Sequence, residues 1–170
     1  MSEKDAPATR PIMPIMPLPL EHYAAIGKVA ANWAALELIV DSACWVLAGV
    51  ADEPGVCLTS QVAGIQRKLD ALTALLRFRE KPENLVKQVN KIAKDARGLS
   101  ERRNRVVHDP WQTGGLLGGP HRLEASARAK LVFESVPMGT GEVIALVDDI
   151  WALTNRFTVL MMGLGIVAPP

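Results

Sequence analysis

Leu85-Val-Lys-Gln-Val-Asn-Lys-Ile-Ala-Lys-Asp-Ala-Arg-Gly-Leu-Ser-Glu-Arg-Arg-Asn-Arg-Val-Val-His-Asp-Pro-Trp111 is the stretch on which the reading of this chain turns. Taken in steps of four and three, Leu85, Val89, Ile92, Ala96, Leu99, Arg103 and Val106 form one seam of a helix. Six of these seven positions are apolar, and the seventh is Arg103. A guanidinium on a core-facing seam is costly unless it is paired or lines a cleft. His108 follows in the last turn, and Asp109-Pro110 stops the helix because the residue before proline is pushed out of the α region. The stretch predicts a long amphipathic helix over Pro82–His108, with a cation on its inner face and an imidazole at its end.

Such a helix needs partners for its apolar face, and the composition supplies them. The chain has 170 residues, enough for one domain with a sizeable core. Apolar residues make up 49%, with only three Phe and one Tyr, so the core is Ala, Leu, Val and Ile, the mixture of helices packed on helices. Upstream, Val29, Trp33, Leu36, Val40, Ala43 and Leu47 predict a first helix over Leu20–Ala48, with Gly49 as its stop. A connection is expected over Val50–Leu58. A second helix, capped by Thr59 or Ser60, carries the stripe Val62, Ile65, Leu69, Leu72 and Leu76. Downstream, Thr140 caps a final helix to about Met162, with Leu146, Ile150, Leu153, Phe157, Leu160 and Leu164 on one stripe. Val143, Val147 and Met161 widen that stripe, which predicts burial on two sides, at the bundle centre or in a dimer interface.

Between the last two helices the pattern changes. Pro110–Pro120 is glycine-rich and reads as a flexible connection, without the ending of a phosphate-binding loop. His121–Val136 alternates, with Leu123, Ala125, Ala127, Ala129, Leu131 and Phe133 on one parity and Glu124, Ser126, Arg128, Lys130 and Glu134 on the other. Strict alternation predicts a small hairpin or extended edge. The fold class expected is therefore all-α, a four- to five-helix up-and-down bundle over residues 20–166 with an insertion at 110–138. Residues 1–19 hold Pro7, Pro11, Pro14, Pro17 and Pro19 and are expected to be a largely disordered arm.

Charge and cysteine usage narrow the function classes. The net charge is +1, so no global field announces a nucleic acid or a membrane. The charge is nevertheless uneven: Glu83–His108 carries seven Lys and Arg against three carboxylates. Lys87, Lys91 and Lys94 share a face that reads as a solvated surface or a track for a polyanion. Cys44 and Cys57 make no metal-ligand pattern, so no metal or cofactor is expected, and they read as reduced thiols of a cytoplasmic protein. No signal peptide is visible in the first residues. The apolar runs 34–50 and 150–168 are interrupted by Glu37 and Asp41 and by Asn155 and Arg156, which predicts bundle helices rather than membrane spans.

An arginine, a histidine and a carboxamide on one helix end suit cleavage of a phosphodiester by the neighbouring 2′-hydroxyl. Asn104 and His108 are four apart and share a face. His108 would move the proton. Arg103 would hold the phosphate and stabilise its charge, and Asn104 would orient the imidazole or bind phosphate. The need for a 2′-hydroxyl restricts this chemistry to RNA. Arg102, Arg105 and Lys94 are the candidate backbone contacts. Trp111 reads either as a base-stacking platform or as an aromatic closing the helix end. Glu37, on the flank of the first helix, is a candidate partner for Arg103. His22 and His121 are expected at the surface.

Arg103-Asn104-Arg105-Val106-Val107-His108 resembles the signature of the HEPN superfamily: an arginine, a polar residue that is often asparagine, a short spacer and a histidine. The resemblance implies an all-α bundle of four or five helices with the motif at a helix end near a dimer interface. It implies a metal-independent endoribonuclease of a toxin or defence system. Such an enzyme works as a homodimer on single-stranded RNA, leaves 2′,3′-cyclic phosphate ends and has an antitoxin or other partner protein. Arg103 and His108 would be catalytic and Asn104 supporting. The tyrosine that some HEPN toxins carry two residues after the histidine is replaced here by Pro110, so inactivation by nucleotide transfer to that tyrosine is not implied. Two other readings stand beside this one: a HEPN-like module that binds nucleotide, RNA or protein without turnover, and a helical adaptor in which Arg103 is structural.

Overall fold

The computed structural model describes residues 17–114, 118–127 and 131–166. Five helices and three strands follow one another as α1 (Leu20–Ala48), α2 (Asp52–Thr59), α3 (Ile65–Phe78), α4 (Glu83–His108), β1 (Trp111–Thr113), β2 (Pro120–Ser126), β3 (Val132–Pro137) and α5 (Thr140–Met162). The four long helices form a closed ring in which α1 packs on α3, α3 on α4, α4 on α5 and α5 back on α1. The strands form one antiparallel sheet of order β1-β2-β3. The arm expected over 1–19 lies outside the described residues apart from Pro17–Pro19, as do parts of the glycine-rich and alternating segments.

The stripes meet as the periodicity requires. Val29, Leu36 and Val40 of α1, Leu69, Leu72 and Leu76 of α3, Val86, Val89 and Ala96 of α4, and Leu146, Ile150 and Phe157 of α5 are fully buried in one cluster. By length and composition α1 passes for a membrane span, with mean hydropathy 1.3 over its most apolar window. Its apolar face is spent on this core. A half-buried ion pair, Lys68 Nζ to Asp41 Oδ2 at 2.7 Å, ties α1 to α3. Beside it Cys44 donates its thiol to the Lys68 carbonyl. Burial, reinforced by Asp41, pushes that thiol up to about 12, so it is no nucleophile.

Helix ends follow local chemistry, with three departures from expectation. Gly49 takes the left-handed conformation (φ 74°) that closes α1. The expected connection over Val50–Leu58 instead contains α2. Pro54 falls in its first turn, where a missing N–H costs nothing, and Gly55 lies beneath the Trp45 ring, which leaves no room for a Cβ. The hydroxyl expected to cap the next helix is engaged elsewhere: Thr59 Oγ1 accepts from Trp45 Nε1 and donates to the Gly55 carbonyl. The cap of α3 is Gly64 at φ 82°, so Val62 lies in the connection. Likewise Gly139, not Thr140, caps α5, with Glu142 reaching back to the Gly139 N–H at 2.8 Å.

α5 has two apolar stripes. One is in the core; the other, Ile144, Trp151 and Val159, is exposed. The sheet also departs from the simple alternation pattern. Arg122 and Glu124, on the polar parity, are half-buried against the end of α4, whereas Phe133 and Leu131 of the apolar parity are exposed.

Candidate functional site

The site is built where α4 stops. Asp109 adopts an extended conformation (ψ 142°) ahead of Pro110, and the chain turns directly into β1. The freed carbonyl of Val106 is taken by the Trp111 indole N–H at 2.8 Å. Trp111 therefore closes the helix end, half-buried, with its ring edge-on to His22 at 4.5 Å. Its indole nitrogen is engaged in the helix cap.

His22 and His121 are both buried, contrary to the surface position expected of them. His22 faces Thr140 Oγ1 at 3.0 Å, joining the N-termini of α1 and α5 beneath Trp111, and its Nε2 has no partner. Loss of hydration lowers its pKa, with Glu21 opposing. His121 Nδ1 lies 3.4 Å from the Gly119 carbonyl.

Arg103, Asn104 and His108 are brought together. One guanidinium nitrogen of Arg103, Nη1, donates to Asn104 Oδ1 at 3.0 Å and lies 3.2 Å from His108 Nε2. A guanidinium has no lone pair to offer, so Nε2 is the acceptor and the imidazole proton is on Nδ1. The Nε of Arg103 is buried with no acceptor at all. The seam position explains this. The Nε end of the stem is buried while Nη1 reaches Asn104 and His108 at the exposed helix end. Among the described residues no carboxylate meets the head within salt-bridge distance.

The neighbouring cations are different. Arg102 pairs with Asp149 of α5 at 2.6 Å. Arg105 pairs with Glu124 at 2.9 Å and with Asp109 at 3.7 Å. Arg122, to which the sequence pattern gave no role, contacts Asp109 at 2.7 Å and Glu124 at 3.0 Å. Two arginines and two carboxylates thus form a closed ring that fastens β2 to the end of α4. Lys94 opens on a separate depression with Gln66, Asp70 and Asn90. Glu37 does not approach Arg103: its Oε1 accepts from Trp33 Nε1, one turn away on its own helix.

Beside the motif is a cavity of about 790 Å³. Asn104 and His108 stand in its wall, Val106, Met138, Ala125 and Ala127 supply apolar lining, and the arginine–carboxylate ring closes one side. Of the cations expected to contact RNA, Arg102 and Arg105 border this cavity and Lys94 does not. Arg122 was missed because its contact with Asp109 joins two elements; its one sequence signal was its place two residues before Glu124, its other partner, on the polar parity of an alternating strand.

Compared with protein-family models, with curated proteins and with solved structures, the chain matches none.

Proposed function

We propose that the protein is a metal-independent endoribonuclease of HEPN type acting as a homodimer, with Arg103 and His108 as catalytic residues and Asn104 as their support. One observation carries the reading. Arg103 has no carboxylate partner among the described residues: its Nε–H is buried with no acceptor, and its Nη1 rests only on Asn104 and the His108 imidazole, in a region where Arg102, Arg105 and Arg122 are all paired. An arginine held free in this way is prepared for an anion that arrives. A phosphodiester oxygen, being charged, is a stronger acceptor than neutral imidazole and would draw Arg103 off Nε2.

The released Nε2 then takes the proton of the 2′-hydroxyl. The 2′-oxygen bonds to phosphorus, the bond to the 5′-oxygen breaks, and that oxygen leaves with a proton from solvent or a second imidazole. Arg103 holds the non-bridging oxygens as charge builds. Products are a 2′,3′-cyclic phosphate and a 5′-hydroxyl. The exposed stripe Ile144, Trp151 and Val159 on α5 offers a surface for a second copy. A toxin or defence role, with an antitoxin or other partner protein, belongs to the same reading through the HEPN resemblance.

A second reading, a module that binds phosphate without turnover, is favoured by the engagement of His108 Nε2 in this state. Single-stranded RNA incubated with the protein in EDTA separates the two. Cleavage that disappears in an all-2′-deoxy substrate supports the enzyme; binding with no cleavage across varied sequences supports the module.

A further inference from the structure

The cavity beside the motif is poorly suited to a phosphate chain. Its arginines Arg102, Arg105 and Arg122 already hold carboxylates, and Val106, Met138, Ala125 and Ala127 give it apolar walls. A neutralised cavity with apolar lining favours a flat, uncharged ring. Besides the Nδ1 of His108, two polar groups in its wall are uncommitted among the described residues. One is the Glu101 carboxylate, which has no ion pair or hydrogen bond. The other is the Asn104 amide nitrogen, whose sister oxygen is taken by Arg103.

Spacing links the cavity to the phosphate position. Glu101 and His108 are seven residues apart on α4, on nearly the same face and about 10.5 Å along the axis. That is comparable to the reach of a nucleotide from the outer edge of its base to its phosphate. A phosphate on Arg103 and His108 would therefore leave Glu101 within reach of its own base.

We propose that this cavity is a nucleobase pocket and that Glu101 makes it selective for guanine. The proposal rests on the reading of Arg103 and His108 as a phosphate site. A carboxylate is an acceptor only and takes two parallel N–H bonds. Guanine alone among the four bases presents two adjacent donors, N1–H and the 2-amino group, on one edge. Adenine and cytosine set an acceptor beside their amino group, and uracil flanks its single N–H with two carbonyls. The Asn104 amide is then free to donate to a ring or carbonyl acceptor.

The test uses the four nucleoside 3′-monophosphates and inorganic phosphate as probes, with calorimetry and the methyl NMR signal of Met138 as readouts. Guanosine 3′-monophosphate should bind at least about tenfold more tightly than inorganic phosphate or the other three nucleotides, within the range of a good bidentate base contact. The Met138 methyl should shift with nucleotide and not with phosphate. Glu101→Gln should bring guanosine to within about threefold of cytidine. Ala125→Leu, which fills the cavity, should weaken every nucleotide and leave phosphate binding in place. If phosphate binds and a base adds nothing, or Met138 does not respond, the pocket is wrong and the phosphate site stands. If all four bases bind equally, the role of Glu101 is overturned. If neither phosphate nor any nucleotide binds, the reading of Arg103 and His108 fails together with the pocket.

Discussion

Arg122→Ala tests whether the arginine–carboxylate ring holds the site together. Arg122 touches Asp109 at 2.7 Å and Glu124 at 3.0 Å, and its side chain is only 14% exposed. Hydrogen bonds to charged groups contribute about 1.5–3 kcal/mol each when shielded. Removal does not fully strand the carboxylates, because Arg105 still reaches Glu124 at 2.9 Å and Asp109 at 3.7 Å. The expected loss is therefore about 2 kcal/mol, well below the sum of two shielded contacts. Arg102→Ala is the internal control. Its pair with Asp149 is as short, 2.6 Å, but the two side chains are 49% and 52% exposed, so its loss should be below about 1 kcal/mol. Urea denaturation followed by circular dichroism reads both. In thermal melts the difference corresponds to roughly 4–8 °C for Arg122→Ala against less than about 4 °C for Arg102→Ala. Equal effects, or a loss for Arg122→Ala below about 0.5 kcal/mol, would refute the claim that β2 is fastened to α4 by this ring.

Three further outcomes follow from the same geometry. The unfolded His22 imidazole takes up a proton near pH 6.5, while the buried one resists it. The unfolded state thus binds more protons below that value, and stability should fall as pH drops from 6.5, by at most about 1.4 kcal/mol per unit. In urea midpoints measured against pH, His22→Phe should flatten that slope; an unchanged slope would place its origin elsewhere. Gly55→Ala gains up to about 1 kcal/mol of helix propensity. It also sets a Cβ 2.5–2.7 Å from the Trp45 ring, an overpacking cost of about 1–3 kcal/mol, so the net effect in the same assay should be destabilising. In the ¹⁵N spectrum of the imidazoles, His108 Nε2 should show the signature of a hydrogen-bond acceptor, and added phosphate should remove it. A spectrum unmoved by phosphate would contradict the exchange of Arg103 from imidazole to anion.

The long elements were legible because periodicity and punctuation agreed. The α4 seam ended at Asp109-Pro110, and the α1 stripe ended at Gly49. The short helix α2 was not legible, since Pro54 and Gly55 both argue against a helix. Pro54 is acceptable there because it falls in the first turn, and Gly55 because the Trp45 ring packs where a Cβ would be. The Arg103–Asn104–His108 grouping could be read because all three residues lie within six positions on one helix. The pairing of the surrounding cations could not, because Asp149 is 47 residues from Arg102 and Asp95 is 61 from Arg156. For the same reason the sequence left open whether Glu37 pairs with Arg103, and it misplaced His22 at the surface. Both depend on which elements close over α1, and a stripe pattern on one helix does not specify its neighbours.

The most direct test of the account is the fate of a single-stranded RNA in EDTA with the wild-type protein, Arg103→Ala and His108→Ala. All three proteins should first show the same helical circular dichroism. The wild type should yield fragments with 2′,3′-cyclic phosphate and 5′-hydroxyl ends, and either substitution should slow cleavage by at least about a hundredfold, the lower end of what positioned proton transfer contributes. Cleavage that persists in His108→Ala, or folded wild type that leaves RNA of every sequence intact, would contradict it.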